Sequence, residues 1–121
     1  MAVPILAVDD SAPIREMIVA VLAPRGYLVH TARDGDDALE QLRQATEPHI
    51  ILLDVVMPGL DGPAVVHTIN EDESLRAAGH LVILMSAPLR LAARDIPATA
   101  GQLSKPFTRQ QLVEIVELYG Q

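Results

Sequence analysis

The run Ile50-Ile51-Leu52-Leu53 is apolar at every position and ends abruptly on Asp54. A strand with one face in water alternates apolar and polar residues. A strand apolar throughout is covered on both faces, which in a chain of this size means a parallel sheet layered between helices. Pro4-Ile5-Leu6-Ala7-Val8 and Leu81-Val82-Ile83-Leu84-Met85 have the same character, and the segments between such runs carry apolar residues at helical spacing. Five strand-helix units fit, with strands at 4–8, 27–32, 50–53, 81–85 and a short fifth at 102–104. The fold class is therefore α/β.

Local signals mark the helices. Ser11 stands as an N-cap before a stripe of Ile14, Met17, Ile18, Val21 and Leu22, which Pro24 and Gly26 terminate. Asp34-Gly35 makes a turn into a helix over 36–44 with Ala38, Leu39 and Leu42 inward. Pro58-Gly59 makes the next turn, and Pro63 suits a first helical position, where its missing N–H costs nothing; that helix should run to about Asn70. Thr108 and Gln111 have capping-box spacing ahead of a final stripe of Leu112, Ile115, Val116 and Tyr119. The acidic run Glu71-Asp72-Glu73 reads as a solvated helix end or loop. Between the fourth and fifth strands Pro88, Pro97 and Gly101 surround a short helix expected over 89–95.

At 121 residues and 50% hydrophobic, the chain suffices for one domain over 1–121 with a single core. It has no cysteine, which excludes disulfides and thiolate metal sites. The apolar segment 3–8 is short, lacks a basic leader and runs into Asp9-Asp10, unlike a signal peptide, and no stretch approaches membrane-spanning length. Neither membrane insertion nor export is expected, and a cytoplasmic location is. With 9 basic against 16 acidic side chains and Tyr27, Phe107 and Tyr119 as its aromatic residues, the chain lacks both a basic stripe for phosphates and stacking platforms for bases. Direct nucleic-acid binding is not expected; if DNA is involved, another chain binds it.

Ligands of an open parallel sheet bind beyond the carboxyl ends of its strands. Asp9 and Asp10 follow the first strand, Asp54 the third, Ser86 the fourth and Lys105 the fifth. Taken singly, Asp10, Ser11 and Ser86 are more readily helix caps or turn formers; the whole set at strand ends is not so explained. Carboxylates without softer ligands suit a hard divalent cation, and Mg²⁺ takes a few carboxylates while leaving positions open to phosphate oxygens. Asp54 is then a nucleophile toward phosphorus, with Lys105 and Ser86 holding the phosphoryl oxygens.

These residues form a recognisable pattern. Val8-Asp9-Asp10, Asp34-Gly35 before Ala38-Leu39, Asp54-Val55-Val56-Met57-Pro58-Gly59 with Asp61-Gly62, Ser86-Ala87 and Lys105-Pro106-Phe107 together resemble the receiver domain of two-component response regulators, over essentially the whole length. The resemblance implies a flavodoxin-like (βα)5 fold with a parallel sheet in the order 2-1-3-4-5. It implies Asp54 as phosphoacceptor, with a sensor histidine kinase or histidine phosphotransfer protein as donor and a downstream protein as target. It further implies that Asp10, Asp54 and the backbone carbonyl of Val56 bind Mg²⁺ with Asp9 assisting through water, that Lys105 pairs with the phosphoryl group and Ser86 follows it, and that Pro106 is cis. The sequence departs from the pattern at Gln102, where family members commonly carry an aromatic residue. Coupling by ring rotation is therefore expected to be weak. The stretch from Ser86 to Lys105 is also a few residues short, and the segment 87–101 is expected to gain order on phosphorylation or partner binding.

Other residues invite less. His30, His49, His67 and His80 lack metal-ligand spacing and read as surface or edge residues. Met17 and Met85 read as core filler, Met57 as packing beneath its turn, and Asp61 as an N-cap as readily as a functional acid. The leading expectation is a signalling switch without an attached output domain, not an enzyme beyond its own phosphoryl transfer and dephosphorylation. A pseudo-receiver that docks partners without phosphorylation and a Mg²⁺-dependent phosphatase turning over through Asp54 are the alternatives.

Overall fold

The computed structural model describes residues 3–87 and 99–120. Strands β1 (Ile5–Val8), β2 (Val29–Ala32), β3 (Ile50–Asp54), β4 (Leu81–Ser86) and β5 (Gly101–Ser104) form one parallel sheet in the order β2-β1-β3-β4-β5. This is the flavodoxin-like arrangement expected. Helices α1 (Ala12–Leu22), α2 (Gly35–Gln44), α3 (Gly62–Glu71), α4 (Glu73–Ala77) and α5 (Arg109–Tyr119) flank it among the described residues.

The continuous apolar runs are explained by covering on both sides. Leu6, Val8, Ile51, Leu53, Val82 and Leu84 face one way, into a core closed by Ala38, Leu39, Leu42, Val65, Val66, Ile69 and Leu75. Ile5, Ala7, Ile50, Leu52, Ile83 and Met85 face the other way, against Ile18, Leu22, Leu112, Val113 and Val116. Successive strand residues point to opposite faces, so a strand buried on both sides has no position for a polar side chain until the ladder ends. Val113 belongs to this buried set, while Ile115 and Tyr119 of the expected stripe are only partly buried. Tyr119 serves another end: its hydroxyl donates to the Ala100 carbonyl at 2.8 Å, tying α5 to the head of β5.

The expected caps are in place at Ser11, Asp61 and Thr108, the last with both halves of the capping box. Asp34, expected in a turn, also caps α2 by accepting from the Asp37 N–H. One expectation is corrected. The second strand begins at Val29, not Tyr27, because a 3-10 turn over Ala23–Arg25 ends on Gly26 at φ 94°, and Tyr27 then packs against the core ahead of the ladder. The acidic run at 71–73 is a solvated helix end, as expected, and a short helix that was not expected follows it: Asp72 closes α3 and caps α4 by accepting from the Leu75 N–H at 3.1 Å, which brings Leu75 into the core. The helix expected over 89–95, with Pro88 and Pro97, lies outside the described residues.

At the amino ends of the strands, three histidines that the sequence scatters lie together. His30 and His49 have ring centroids 5.9 Å apart, and His49 and His80 5.7 Å. His67 is exposed on α3, as expected of a surface residue. The His49 backbone N–H donates to His80 Nδ1 at 2.9 Å, bridging the approach to β3 and the approach to β4. Because Nδ1 accepts, the neutral ring carries its proton on Nε2, which is buried without a hydrogen-bond partner among the described residues. Burial, and then the neighbouring His49, lower the His80 pKa from 6.5.

The unfolded chain protonates this imidazole more readily than the folded one. The stability that His80 contributes is therefore complete above about pH 6.5 and is lost as pH falls from there through the lower folded pKa. His80→Asn keeps an acceptor for the His49 N–H but cannot titrate. Its melting temperature should fall less steeply than the parent's on acidification below that value; parallel profiles would show that His80 does not gain its proton on unfolding.

Candidate functional site

At the carboxyl ends of the strands the ladder stops on charged residues. Asp9, immediately after β1, is 0% exposed, and Asp54, the last residue of β3, is 6% exposed. Lys105 follows β5 and reaches both: its Nζ lies 2.8 Å from Asp9 Oδ2 and 3.4 Å from Asp54 Oδ1. Ser86, which ends β4 and is 3% exposed, accepts the Lys105 backbone N–H on its carbonyl at 2.8 Å. Asp10 points outward and is exposed, yet carboxylate oxygens of Asp9, Asp10 and Asp54 lie within 4.8 Å of one another. The structure thus brings the side chains of Asp9, Asp54 and Lys105 together with Asp10 beside them, and Ser86 joins them through its backbone carbonyl. Val56, 45% exposed, donates its N–H to Asp54 Oδ1 at 3.4 Å.

Charge is unevenly compensated here. Burial, then the adjacent Asp9, raise the Asp54 pKa above 3.8, and the Lys105 ammonium and the Val56 N–H offset this only in part. For Lys105 burial works against the charge, but the Asp9 hydrogen bond and the charges of Asp54 and Asp9 outweigh it and raise the pKa above 10.5. Among the described residues one side-chain cation, Lys105, pairs with the three-carboxylate cluster, which leaves it suited to a further positive charge. Its donors are hard oxygens, and one carboxylate is open to water. Those are the properties that suit Mg²⁺, and the residues present fit that ion.

The loop beyond Asp54 is held by its backbone. The Val55 N–H donates to the Met85 carbonyl and the Val55 carbonyl accepts from Gly62, while Met57 is buried beneath the turn as expected. Gly59 takes φ 73°, and Gly62 comes so close that a Cβ there would lie 2.5 Å from the Asp54 carbonyl oxygen. The glycines of the motif therefore shape the approach to Asp54. The Lys105–Pro106 peptide is cis, as the resemblance implies.

Two supports of Asp9 were not read from the sequence. Asp9 Oδ1 accepts from the Ser11 backbone N–H at 2.9 Å, and the Asp9 carbonyl accepts from Arg15 Nη1 at 2.7 Å. In the sequence Ser11 carries only the signature of a helix cap. Arg15 sits on α1 among ordinary helix-surface residues, and its sequence position alone carries no sign that it reaches back to the strand.

A sequence model described as the response regulator receiver domain matches residues 5–117. The chain belongs to that family. This receiver domain is 34% identical over 111 residues to the probable transcriptional regulator ycf27 of Guillardia theta, and 36% identical over 117 residues to the sensor kinase CckA of Brucella abortus. Those matches cover 89% and 93% of the chain but only 41% and 12% of the two relatives, so it spans less than half the length of either. Among solved structures, the response regulator protein TrrA of Thermotoga maritima, in complex with Mg²⁺-BeF, superposes with a TM-score of 0.82 at 28% identity, covering 96% of this chain and 97% of that one.

Two outcomes test the site. A raised carboxylate pKa means the folded chain holds the Asp54 proton more tightly than the unfolded one, so ionised Asp54 costs stability; the cost is absent below about pH 3.8 and grows as pH rises through the folded pKa. Metal-free Asp54→Asn should melt a few degrees above the parent at pH 7, the gap closing near pH 4; an Asn variant no more stable at pH 7 contradicts the electrostatic account. Gly62→Ala should lose about 1–3 kcal/mol through overpacking against the Asp54 backbone, measured by denaturant titration, and a neutral result would show that the loop yields freely.

Proposed function

We propose that this receiver domain is a phosphorylation-dependent signalling switch that accepts a phosphoryl group on Asp54 from a phosphohistidine of a sensor histidine kinase or a histidine phosphotransfer protein. The observation that carries the reading is the Lys105 ammonium set between Asp9 and Asp54, at 2.8 and 3.4 Å, at the carboxyl ends of the strands. An oxygen of Asp54 attacks phosphorus; the new P–O bond forms as the P–N bond breaks, and the departing imidazole keeps the electron pair and takes a proton from water. Lys105 is within reach of an oxygen on the incoming group, and the Ser86 side chain completes its surroundings. Asp9, Asp10, Asp54 and the Val56 carbonyl would hold Mg²⁺, which when bound supplies charge neutralisation for the carboxylates and for the phosphoryl oxygens. The match to a regulator solved with Mg²⁺-BeF supports that cofactor.

The switch acts through proteins: a kinase or phosphotransfer donor before it and a protein target after it. It works in the cytoplasm and has no direct contact with nucleic acid. It is not an enzyme toward a separate substrate, its chemistry being limited to its own phosphorylation and dephosphorylation. One observation favours a second reading, a pseudo-receiver that docks without phosphorylation: Gln102, in place of the aromatic residue, is an exposed side chain on β5.

Incubation with a small-molecule phosphodonor and Mg²⁺ tests the proposal. The expected product carries one hydroxylamine-labile phosphoryl group per chain, absent from Asp54→Asn. Labelling of the Asn variant would remove Asp54 from its role, a wholly unlabelled parent would favour the docking reading, and many turnovers per chain on an added phosphate ester would make the protein a phosphatase.

A further inference from the structure

We propose that Arg15 is a positioning residue for the acidic site, fixing the peptide unit that joins Asp9 to Asp10. Every polar group of Asp9 is engaged: its N–H donates to the Ala32 carbonyl at 3.2 Å, Oδ1 accepts from the Ser11 N–H at 2.9 Å, Oδ2 accepts from Lys105 at 2.8 Å, and its carbonyl accepts from Arg15 at 2.7 Å. The first three hold the strand end and the carboxylate. The fourth holds the peptide plane through which the chain turns out of the sheet.

That plane has one rotational setting shared by two site residues. Turning it changes ψ of Asp9 and φ of Asp10 together, because the peptide itself is rigid. Asp9 is fully buried and Asp10 exposed, so this single peptide carries the chain from the inner carboxylate to the outer one. A carbonyl of a fully buried residue that has left the ladder needs a donor. Arg15, half-buried on α1, supplies a charge-assisted one. Without it the Asp9–Asp10 peptide is free to rock, and the separation of the two carboxylates is no longer set in advance of metal binding. Pre-set geometry lowers the cost of binding, so its loss appears as weaker metal affinity and leaves the chemistry of Asp54 unchanged once metal is bound.

The inference rests on the proposed function for its metal readout but has a second readout that does not. Arg15→Met keeps the stem and removes the donor; Arg15→Lys keeps charge and donor. By thermal shift, the Mg²⁺ concentration at half-maximal stabilisation should rise about tenfold in the Met variant and recover largely in the Lys variant. Phosphodonor labelling should slow at low Mg²⁺ and return to the parent rate at saturation. In metal-free protein, amide exchange at Ser11, whose N–H bonds Asp9 Oδ1, should quicken about tenfold in Arg15→Met. A lowered melting temperature with unchanged Mg²⁺ midpoint and unchanged Ser11 exchange would make Arg15 a packing residue only and overturn the inference. A parent that neither responds to Mg²⁺ nor labels would overturn the functional reading instead, and Ser11 exchange would then decide for or against Arg15 alone.

Discussion

The Lys105 ammonium lies between two carboxylates that end neighbouring buried strands, and most of what is distinctive in this chain follows from that contact. A buried carboxylate is tolerated only where it is paired or hydrogen-bonded, and removing one partner of such a pair costs about 3–5 kcal/mol because the charge left behind stays buried. Asp9 is satisfied on both oxygens, whereas Asp54 has a long contact to Lys105 and a long one to the Val56 N–H. The two acids are thus unequal. Asp9 is bound into the scaffold, and Asp54 keeps part of its bonding capacity uncommitted on a side open to the loop.

The sheet makes this inequality possible. Its parallel register sets the ends of β1, β3 and β4 side by side, with Val8 paired to Leu53 and Asp54 paired to Met85. Because both faces of β1, β3 and β4 are covered, no polar group is admitted along these strands before their ends, and polar and charged groups collect where the ladder stops. Lys105 is anchored by its own backbone to the Ser86 carbonyl, so its side chain spans the site from a fixed base. A reach of 2.8 Å to Asp9 is a property of four strands held in register, β1, β3, β4 and β5, and not of Lys105 alone.

Much of this was legible in the sequence, for a physical reason. Strands buried on both faces leave an unbroken apolar signal, and the polar or charged residue that follows each strand marks the site end, which is how Asp9, Asp54 and Ser86 stand out, with Lys105 after the short fifth strand. Features that depend on a side chain crossing between elements left no such trace. The Arg15 contact joins a helix to the strand before it, the His30, His49 and His80 cluster joins residues whose spacing follows helix lengths, and Asp72 serves two helices at once. Each is fixed by the three-dimensional packing, and each looks in the sequence like an ordinary surface residue. The start of β2 was missed for a different reason: Tyr27 is apolar enough to be a strand residue, but its burial is against the core ahead of the ladder.

The same rigidity constrains how a signal leaves the site. A modification at Asp54 shifts an equilibrium only between states that it contacts differently. Along β3 and β4 the neighbours of Asp54 are fully buried side chains packed from both faces, which resist gradual deformation. Among the described residues, the parts not packed between the two cores lie around the strand ends: the exposed Asp10, the exposed Val56 on the loop held by Gly62, and the Lys105 side chain, whose backbone is bonded to Ser86. On β5, Leu103 packs inward while Gln102 projects outward, so a shift of the lysine strand would be carried by the backbone and by the Tyr119 bond to Ala100. Strand β5 is thus joined to α5 by the packing of Leu103 in the core it shares with Leu112, Val113 and Val116 and by the hydrogen bond at the head of the strand, contacts that need no aromatic ring at position 102.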